Sequence, residues 1–260
     1  MKLGQILRIV WLVPSMDRLW TEGSSGRRQF LDRLTLSYFP KHAEVSLLYE
    51  KAMKERNRLL KEKIYNDHWY NALEIEMAKS AVSIQKSRMQ AIQYLTEAQN
   101  QLTGNFPKAE LLLIDPEQDI ITDEDEAVRA LKCSRQNDMI IGRTSVGPHK
   151  SDLQAIYLNK SMPAKDSSTG EQKALLISII LSNAKSLAKI SNVSPIVLLD
   201  EVSAHLDNEK RAALYDEICQ LGVQAWMTGT ELELFSELKD KAQFIEVTAA
   251  DGISALSVSS

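Results

Sequence analysis

Residues 195–201 have the sequence Pro195-Ile196-Val197-Leu198-Leu199-Asp200-Glu201, which indicates the fold class. Four consecutive aliphatic residues are typical of a central strand in a parallel sheet, because both faces of such a strand are buried. The two carboxylates follow at the end of the strand where α/β folds place their ligand sites. Such a pair suits hydrolysis of a nucleoside triphosphate, in which one carboxylate supports magnesium and the other orients or deprotonates the attacking water. The alternative is a buried strand that ends in a solvated acidic turn.

The residues around this stretch predict an α/β layer. Strand and helix alternate, which indicates a parallel sheet. The predicted elements are strands at 109–115 and 153–158, a helix at 168–190, the strand at 195–200, a helix at 207–220, a strand at 224–228, and a closing pair of strands at 244–248 and 253–258.

The helix before the central strand begins with Ser168-Thr169-Gly170-Glu171-Gln172-Lys173. Ser168 caps the helix and Glu171, three residues on, completes a capping box. Gly170 lets another backbone approach closely. Free amides at a helix amino terminus bind anions and suit a γ-phosphate. The structural alternative, that Ser168 is simply a helix cap, holds even if the site also binds phosphate.

A long segment from Lys41 to Thr103 contains neither proline nor glycine. Its apolar residues recur at helical spacing and its polar positions carry good helix formers. We predict two or more long helices, bent near Asn66-Asp67-His68, that form a helical arm; an ordinary helical bundle fits the same periodicity. Beyond the arm, the acidic run Asp123-Glu124-Asp125-Glu126 is interpreted as the first turn of a helix capped by Thr122, and not as a metal site.

Composition indicates an ordinary globular protein. The 260 residues are 44% hydrophobic and 25% charged, with a formal net charge of −4. Nucleic-acid binders are usually basic, so any DNA contact is expected from local basic patches. Cys133 and Cys219 have no metal-ligand or redox spacing and are interpreted as reduced thiols of a cytosolic protein. Residues 1–14 fit a strand better than a secretory signal because Arg8 interrupts the apolar run. We expect a soluble protein without a membrane span.

Three features together resemble the ATP-binding-cassette ATPases: the serine-glycine helix start, the strand ending in Asp-Glu, and Ser203-Ala204-His205-Leu206-Asp207. Further stretches narrow the resemblance to the RecF family. They are Gly26-Arg27-Arg28-Gln29-Phe30-Leu31-Asp32, Gly147-Pro148-His149-Lys150-Ser151-Asp152-Leu153, and Val202–Asp207 with the following Glu209-Lys210-Arg211.

The resemblance implies an α/β fold: an ABC-type ATPase carboxyl-terminal lobe with a parallel sheet and an inserted all-helical arm domain. Residues 1–14 would be a remnant of the ATPase lobe, 15–104 the arm, and 105–260 the lobe with signature motif, Walker B and D-loop. Asp200 would support Mg2+ and Glu201 would be the catalytic base. The signature Ser168, Thr169, Gly170 and Glu171 would meet ATP across a dimer, and Asp207 would communicate between the subunits.

The same resemblance implies a cytoplasmic ATP-dependent DNA-binding protein of replication, recombinational repair and the SOS response. Its implied partners are single-stranded and gapped or linear double-stranded DNA, RecR and RecO, and a second copy in an ATP-dependent homodimer; no membrane is implied. A transporter ATPase subunit is disfavoured by the long arm and by the segment from Gly147 to Leu153.

The chain departs from the family pattern at three places. Thr169 stands where cassette ATPases often carry glycine, and Met227-Thr228-Gly229-Thr230 replaces the expected switch histidine. Thr228 or Thr230 would then sense phosphate through a hydroxyl. The P-loop pattern Gly-x-x-x-x-Gly-Lys-Ser/Thr occurs nowhere in the sequence. We therefore expect a shortened product or a lobe supplied elsewhere, and the alternative function is a non-hydrolysing fragment that only binds DNA or partners.

DNA contact is predicted from the resemblance and not from charge. The candidates for phosphate contact are Arg27, Arg28, Lys54, Arg56 and Arg58, with Arg33, Lys51, Lys61 and Lys63 beside them. Clustered lysine and arginine residues can bind phosphates without sequence preference. Glutamates lie among the arm residues, so the alternative is a solvated helix face with internal ion pairs.

Overall fold

The structure, a computed structural model, describes residues 7–102, 106–191, 194–203, 206–250 and 253–259. The helices are α1 (Ser24–Tyr38), α2 (His42–Lys61), α3 (Asp67–Gln99), α4 (Glu124–Ile141), α5 (Thr169–Ser191) and α6 (Asn208–Leu221). The strands are β1 (Ile9–Leu12), β2 (Ala109–Ile114), β3 (Asp152–Tyr157), β4 (Met162–Pro163), β5 (Ile196–Leu199), β6 (Gln224–Met227), β7 (Phe244–Ala250) and β8 (Ile253–Ser259). The predicted α/β class is confirmed.

A parallel sheet contains the aliphatic run at residues 196–199. Strand β5 lies between β1 and β6 and runs parallel to both. Its buried face, with Val197 and Leu199, joins the main hydrophobic core that α5 fills. The opposite face is open among the described residues, where Leu198 is 37% exposed and Trp226 53% exposed. The position of the central strand is thus confirmed, and of its two faces, both expected to be buried in a central strand, α5 covers the one with Val197 and Leu199 within the described residues.

Helix α5 is almost wholly buried, which explains its unusual apolarity. Of the helices in the described ranges, α5 alone is long and apolar enough to cross a membrane. However, 72% of its most apolar window lies inside the fold. A core helix of a globular protein passes the same length and composition test, and the packing of α5 matches that case.

A second, antiparallel sheet consists of β2, β3 and β4. It joins the end of the arm through Gln99, whose amide nitrogen donates to the carbonyl of Ala109 and whose amide oxygen accepts from the Ala109 N–H. Helix α1 also packs on β3, so that Phe30 and Leu34 belong to the main core. The predicted domain boundaries at residues 14 and 104 stay a prediction.

Helices α2 and α3, which lie in the predicted arm, pack together, and α4, which follows β2 in the chain, packs against both of them. The predicted bend lies where expected: Asn66 caps α3 and accepts a hydrogen bond from the N–H of Trp69. The predicted cap of α4 is wrong by one residue, because Asp123 and not Thr122 accepts from the N–H of Glu126. The acidic first turn of α4 is confirmed. Residues 103–105, at the predicted end of the arm, lie outside the described residues.

One buried arginine, Arg56, joins the three helices α2, α3 and α4. Arg56 of α2 is fully buried and pairs with Glu74 of α3 at 3.1 Å and with Asp138 of α4 at 2.6 Å. Its guanidinium also donates to the Thr144 hydroxyl and to the Leu131 carbonyl. Arg56 was predicted to contact DNA, and the structure corrects this: a side chain without solvent exposure cannot reach a phosphate.

Candidate nucleotide site

The carboxylates at the end of β5 are held by the neighbouring strands. Asp200 is half-buried, and its N–H donates to the Leu12 carbonyl of β1. Its carboxylate oxygen Oδ1 accepts a 2.6 Å hydrogen bond from the hydroxyl of Thr228, the residue that follows β6. The same hydroxyl oxygen accepts from the N–H of Glu201 at 3.1 Å. Thr228, predicted as a phosphate sensor, therefore directs its hydrogen to Asp200 in this structure.

Glu201 has a left-handed backbone conformation with φ of 52°. For a residue with a side chain this conformation costs roughly 1–2 kcal/mol. Its carbonyl accepts a 3.3 Å hydrogen bond from Lys173 Nζ. Strained residues of this kind persist where the surroundings hold them, and they cluster at functional sites.

The capping box predicted at the start of α5 is confirmed. The N–H and the hydroxyl of Ser168 both donate to Glu171 Oε2, at 3.0 and 2.9 Å. Hydrogen bonds from Lys160 and from the Ser168 N–H lower the pKa of Glu171 to about 2. Thr169 is exposed, and no atom lies within 4 Å of the position that a Cβ on Gly170 would occupy. The start of α5 thus presents an open surface that another molecule can approach closely.

Asp207 acts as a helix cap. Its carboxylate accepts from the N–H of Lys210 at 2.8 Å and pairs with Lys210 Nζ at 2.6 Å. These hydrogen bonds lower the pKa of the exposed Asp207 carboxyl. Residues 204 and 205 of the predicted D-loop lie outside the described residues, and the communicating role of Asp207 stays a prediction.

The carboxylates at the end of β5 fit Mg2+ only in a site where a single carboxylate and substrate phosphates are the ligands. Within the described ranges, no group of three or more His, Cys, Asp or Glu side chains is placed to hold a metal ion. Mg2+ at nucleotide sites keeps several waters and is bound by one or two carboxylates together with substrate phosphates. Asp200, with its carboxylate fixed by Thr228 at the strand end, fits that single-carboxylate role.

Two of the stretches that carry the RecF resemblance, at 26–32 and 147–153, are in contact. Arg27 binds Asp152 through two hydrogen bonds of 2.8 Å each, and Arg28 donates to the Ser151 carbonyl. Such paired guanidinium–carboxylate contacts are strong and directional. Both arginines were predicted to contact DNA; the structure engages them inside the protein, so their DNA role stays a prediction without support from their placement.

A neighbouring carboxylate, Asp32, joins the arm to these stretches. Arg88 of α3 donates to both carboxylate oxygens at 2.7 and 2.9 Å, and His42 Nε2 lies 2.9 Å from Oδ1. Arg88 also donates to the Pro148 carbonyl and to the Ser151 hydroxyl. Arg88, which was not predicted as a site residue from the sequence, thus joins α3 to Asp32 and to the segment around Ser151.

We expect the hydrogen bonds of Asp32 to make the free energy of unfolding depend on pH in the acid range. Burial raises the pKa of Asp32, but the hydrogen bonds from His42 and Arg88 outweigh burial and lower it to about 2, from an ordinary value of 3.8. The stabilisation is therefore present above about pH 4 and is lost as the pH falls towards about 2. Denaturant unfolding of the unmodified chain and of Asp32→Asn should show a difference in unfolding free energy that shrinks across this range. A difference that stays constant down to pH 2 would contradict the assignment.

The remaining DNA candidates have mixed surroundings. Lys54 is exposed, whereas Arg58 pairs with Glu55 and Glu62 and lies over the Trp69 ring. Arg33 is largely buried, which lowers its pKa to about 10. The exposed lysines of the arm are Lys51, Lys54, Lys61 and Lys63. Unlike the buried Arg56 and the ion-paired Arg27 and Arg58, these lysines have exposed side chains, and their contact with DNA stays a prediction.

Two contacts of the site were not predicted from the sequence, for different reasons. Thr228 as the partner of Asp200 follows from the register, because β6 lies beside β5 and Leu199 pairs with Met227. The parallel arrangement of β5 and β6 predicted from the sequence would therefore have been sufficient to predict this contact. Nothing in the local sequence indicates that Lys173 contacts the Glu201 carbonyl, because this contact depends on how α5 crosses the sheet.

A scan against protein-family models found no match. Among curated proteins, the chain is 45% identical over 249 residues to the DNA replication and repair protein RecF of Mesorhizobium japonicum, covering 93% of this chain and 66% of that protein. It is 39% identical over 251 residues to the RecF of Rickettsia akari, covering 95% of this chain and 70% of that protein. The chain thus spans about two thirds of the length of the curated relatives it matches.

Among solved structures, the recombination mediator protein RecF with ATP, of the RecFOR pathway, matches with a TM-score of 0.78. The match covers 96% of this chain and 68% of that one at 22% identity. It supports the fold.

Proposed function

Because the chain belongs to the RecF family of DNA replication and repair proteins, we propose that it supplies the signature and Walker B parts of an ATP site that closes between two copies. In this proposal Asp200 supports Mg2+, and Glu201 orients or deprotonates the attacking water. The observation that carries the proposal is the end of β5, where Thr228 fixes the Asp200 carboxylate and the backbone of Glu201 is held in a strained conformation.

The start of α5 would contact the nucleotide held by the facing copy. The amides of its first turn, at Thr169 and Gly170, suit a γ-phosphate. The open space at Gly170 is what a close approach of another chain requires. Because the P-loop pattern is absent from the 260 residues, the groups that cradle the α- and β-phosphates come from outside them in this proposal.

Substitution of Gly170 by alanine tests this arrangement. The methyl group meets nothing in the single chain, and alanine favours a helix over glycine by roughly 0.5–1 kcal/mol, so stability should not fall. ATP-dependent association should weaken by about tenfold or more, equivalent to about 1.4 kcal/mol, because the methyl group enters the contact with the facing copy. Sedimentation of the native protein with and without ATP measures this.

A matched control is Gly26→Ala, a second helical glycine whose added methyl would lie 3.9 Å from its nearest neighbour, Glu22 Oε2. It should leave ATP-dependent association unchanged. Equal effects of the two substitutions, or no effect of Gly170→Ala, would count against a role of the α5 start in association.

We further propose that the protein acts in the cytoplasm in replication, recombinational repair and the SOS response. It would bind single-stranded and gapped or linear double-stranded DNA, with RecR and RecO as partners. The exposed arm lysines are the cations best placed for sequence-independent phosphate contact.

Lys54→Ala tests the DNA surface. A lysine that neutralises one phosphate contributes about one to the slope of log affinity against log salt concentration, so this variant should bind more weakly and with a slope reduced by about 1. Binding titrations at several salt concentrations give the slope. Lys241→Ala, which removes an exposed lysine from the other end of the chain, should leave the slope unchanged; an unchanged slope in Lys54→Ala would remove the arm from the DNA surface.

A further inference from the structure

The backbone of Glu201 is held from both sides. Its N–H donates to the Thr228 hydroxyl at 3.1 Å, and its carbonyl accepts from Lys173 Nζ at 3.3 Å. Between these two contacts the residue has a φ of 52°. Since this conformation is unfavourable for glutamate, the two contacts decide whether the carboxylate keeps its direction.

Lys173 connects this backbone to the start of α5. It lies about one helical turn beyond Thr169 and Gly170, and its side chain is 5% exposed. Its Nζ also lies 3.3 Å from Asp17 Oδ2, in the turn that follows β1. One ammonium group therefore joins the signature helix, the segment after β1 and the carbonyl of Glu201.

We propose that Lys173 is a positioning residue that couples the start of α5 to Glu201. A helix moves as a rigid body over its first turns, so a displacement of Thr169 and Gly170 reaches Lys173 and, through its ammonium group, the Glu201 carbonyl. Nucleotide contacts at the α5 start would thereby adjust the carboxylate that serves the chain's own nucleotide. This inference rests on the proposed function, since it assumes that Glu201 is the base.

The test must separate loss of this contact from loss of stability. Lys173→Met alone leaves the half-buried Asp17 without its cation, and removing one partner of a partly buried pair destabilises a protein. The double variant Asp17→Asn, Lys173→Met removes both charges together and still removes the hydrogen bond to Glu201. Its matched control is Glu217→Gln, Lys185→Met, which neutralises the pair that another lysine of α5 makes with a carboxylate of α6, with Nζ and Oε1 3.1 Å apart.

Two readouts are measured on the native protein: residue-resolved hydrogen exchange of the Glu201 amide, and kcat and KM for ATP. In Asp17→Asn, Lys173→Met we expect exchange about tenfold faster and kcat lowered by about tenfold to 100-fold with KM little changed, because misplacing a catalytic group by about 1 Å has effects of this order. The control should alter neither readout. Lys173→Arg, which keeps the cation, should retain most of kcat.

The outcomes separate this inference from the function on which it rests. Faster exchange at Glu201 with lowered kcat, absent from the control, supports the coupling. Unchanged exchange and kcat, or equal changes in the control, overturn it. If exchange responds while the unmodified native protein hydrolyses no ATP, the positioning of Glu201 is supported and the proposed function is overturned.

Discussion

Replacement of Arg56 by methionine is expected to lower the free energy of unfolding by about 3–5 kcal/mol. Arg56 has no solvent exposure, and its removal leaves Asp138 and Glu74 buried without their shared cation. Arg135 still reaches Glu74, at 2.6 Å, so the larger part of the loss should come from Asp138. Denaturant unfolding, followed by circular dichroism, gives the free energy.

Arg58→Met is the matched control, two residues along the same helix. Arg58 is 45% exposed and pairs with Glu55 and Glu62 on the surface, and exposed pairs contribute only about 0.2–1 kcal/mol. A loss below about 1 kcal/mol in Arg56→Met, or similar losses in both variants, would show that the buried network does not hold the arm together.

The second large effect is expected at Glu201. Substitution by glutamine keeps the shape of the side chain and removes its basicity. A positioned general base contributes about 10²–10⁴-fold to rate, so hydrolysis should fall by that order while ATP binding persists. Both are measured on the native protein purified from its own cells, where any P-loop that works with these residues is present.

Glu97→Gln makes the same chemical change on the exposed surface of α3, where Glu97 accepts from Gln93, and should leave hydrolysis unchanged. If Glu201→Gln retained the full hydrolysis rate, Glu201 would not be the base. Loss of ATP binding together with hydrolysis would instead give Glu201 a role in holding the nucleotide.

The order of helices and strands could be predicted because local chemistry carries it. Ser168 and Glu171 form the capping box that their spacing predicts, and Asn66 marks the bend of the arm. The aliphatic run before Asp200 predicted a central parallel strand, which the pairing with β1 and β6 confirms. These features depend on residues a few positions apart.

Long-range partners could not be predicted in the same way. Arg56 lies on one helical stripe with Tyr49, Ala52 and Leu59, all buried, and that spacing was the available signal that it faces inward. Its partners, however, are 18 and 82 residues away along the chain. Because the neighbouring residues in the sequence are lysines and glutamates, Arg56 was predicted to be a cation on the surface.

The exposure of one face of the parallel sheet could not be predicted for a different reason. Leu198 continues an apolar run, and the sequence predicted burial on both sides of β5. Burial depends on what covers the strand, and among the described residues α5 covers the face with Val197 and Leu199. An aliphatic sequence shows that a strand can be buried. Whether a given face is buried depends on the element that packs against it.

The central claim is that the α5 start and the end of β5 act in one ATP site formed by two copies. The mass of the native Glu201→Gln protein in solution, measured by sedimentation with and without ATP, tests it most directly. We predict a complex of two copies with ATP and the single form without it, and an ATP-dependent association weakened by about tenfold or more when Gly170→Ala is added. An ATP-bound protein that keeps one mass in all of these conditions would contradict it.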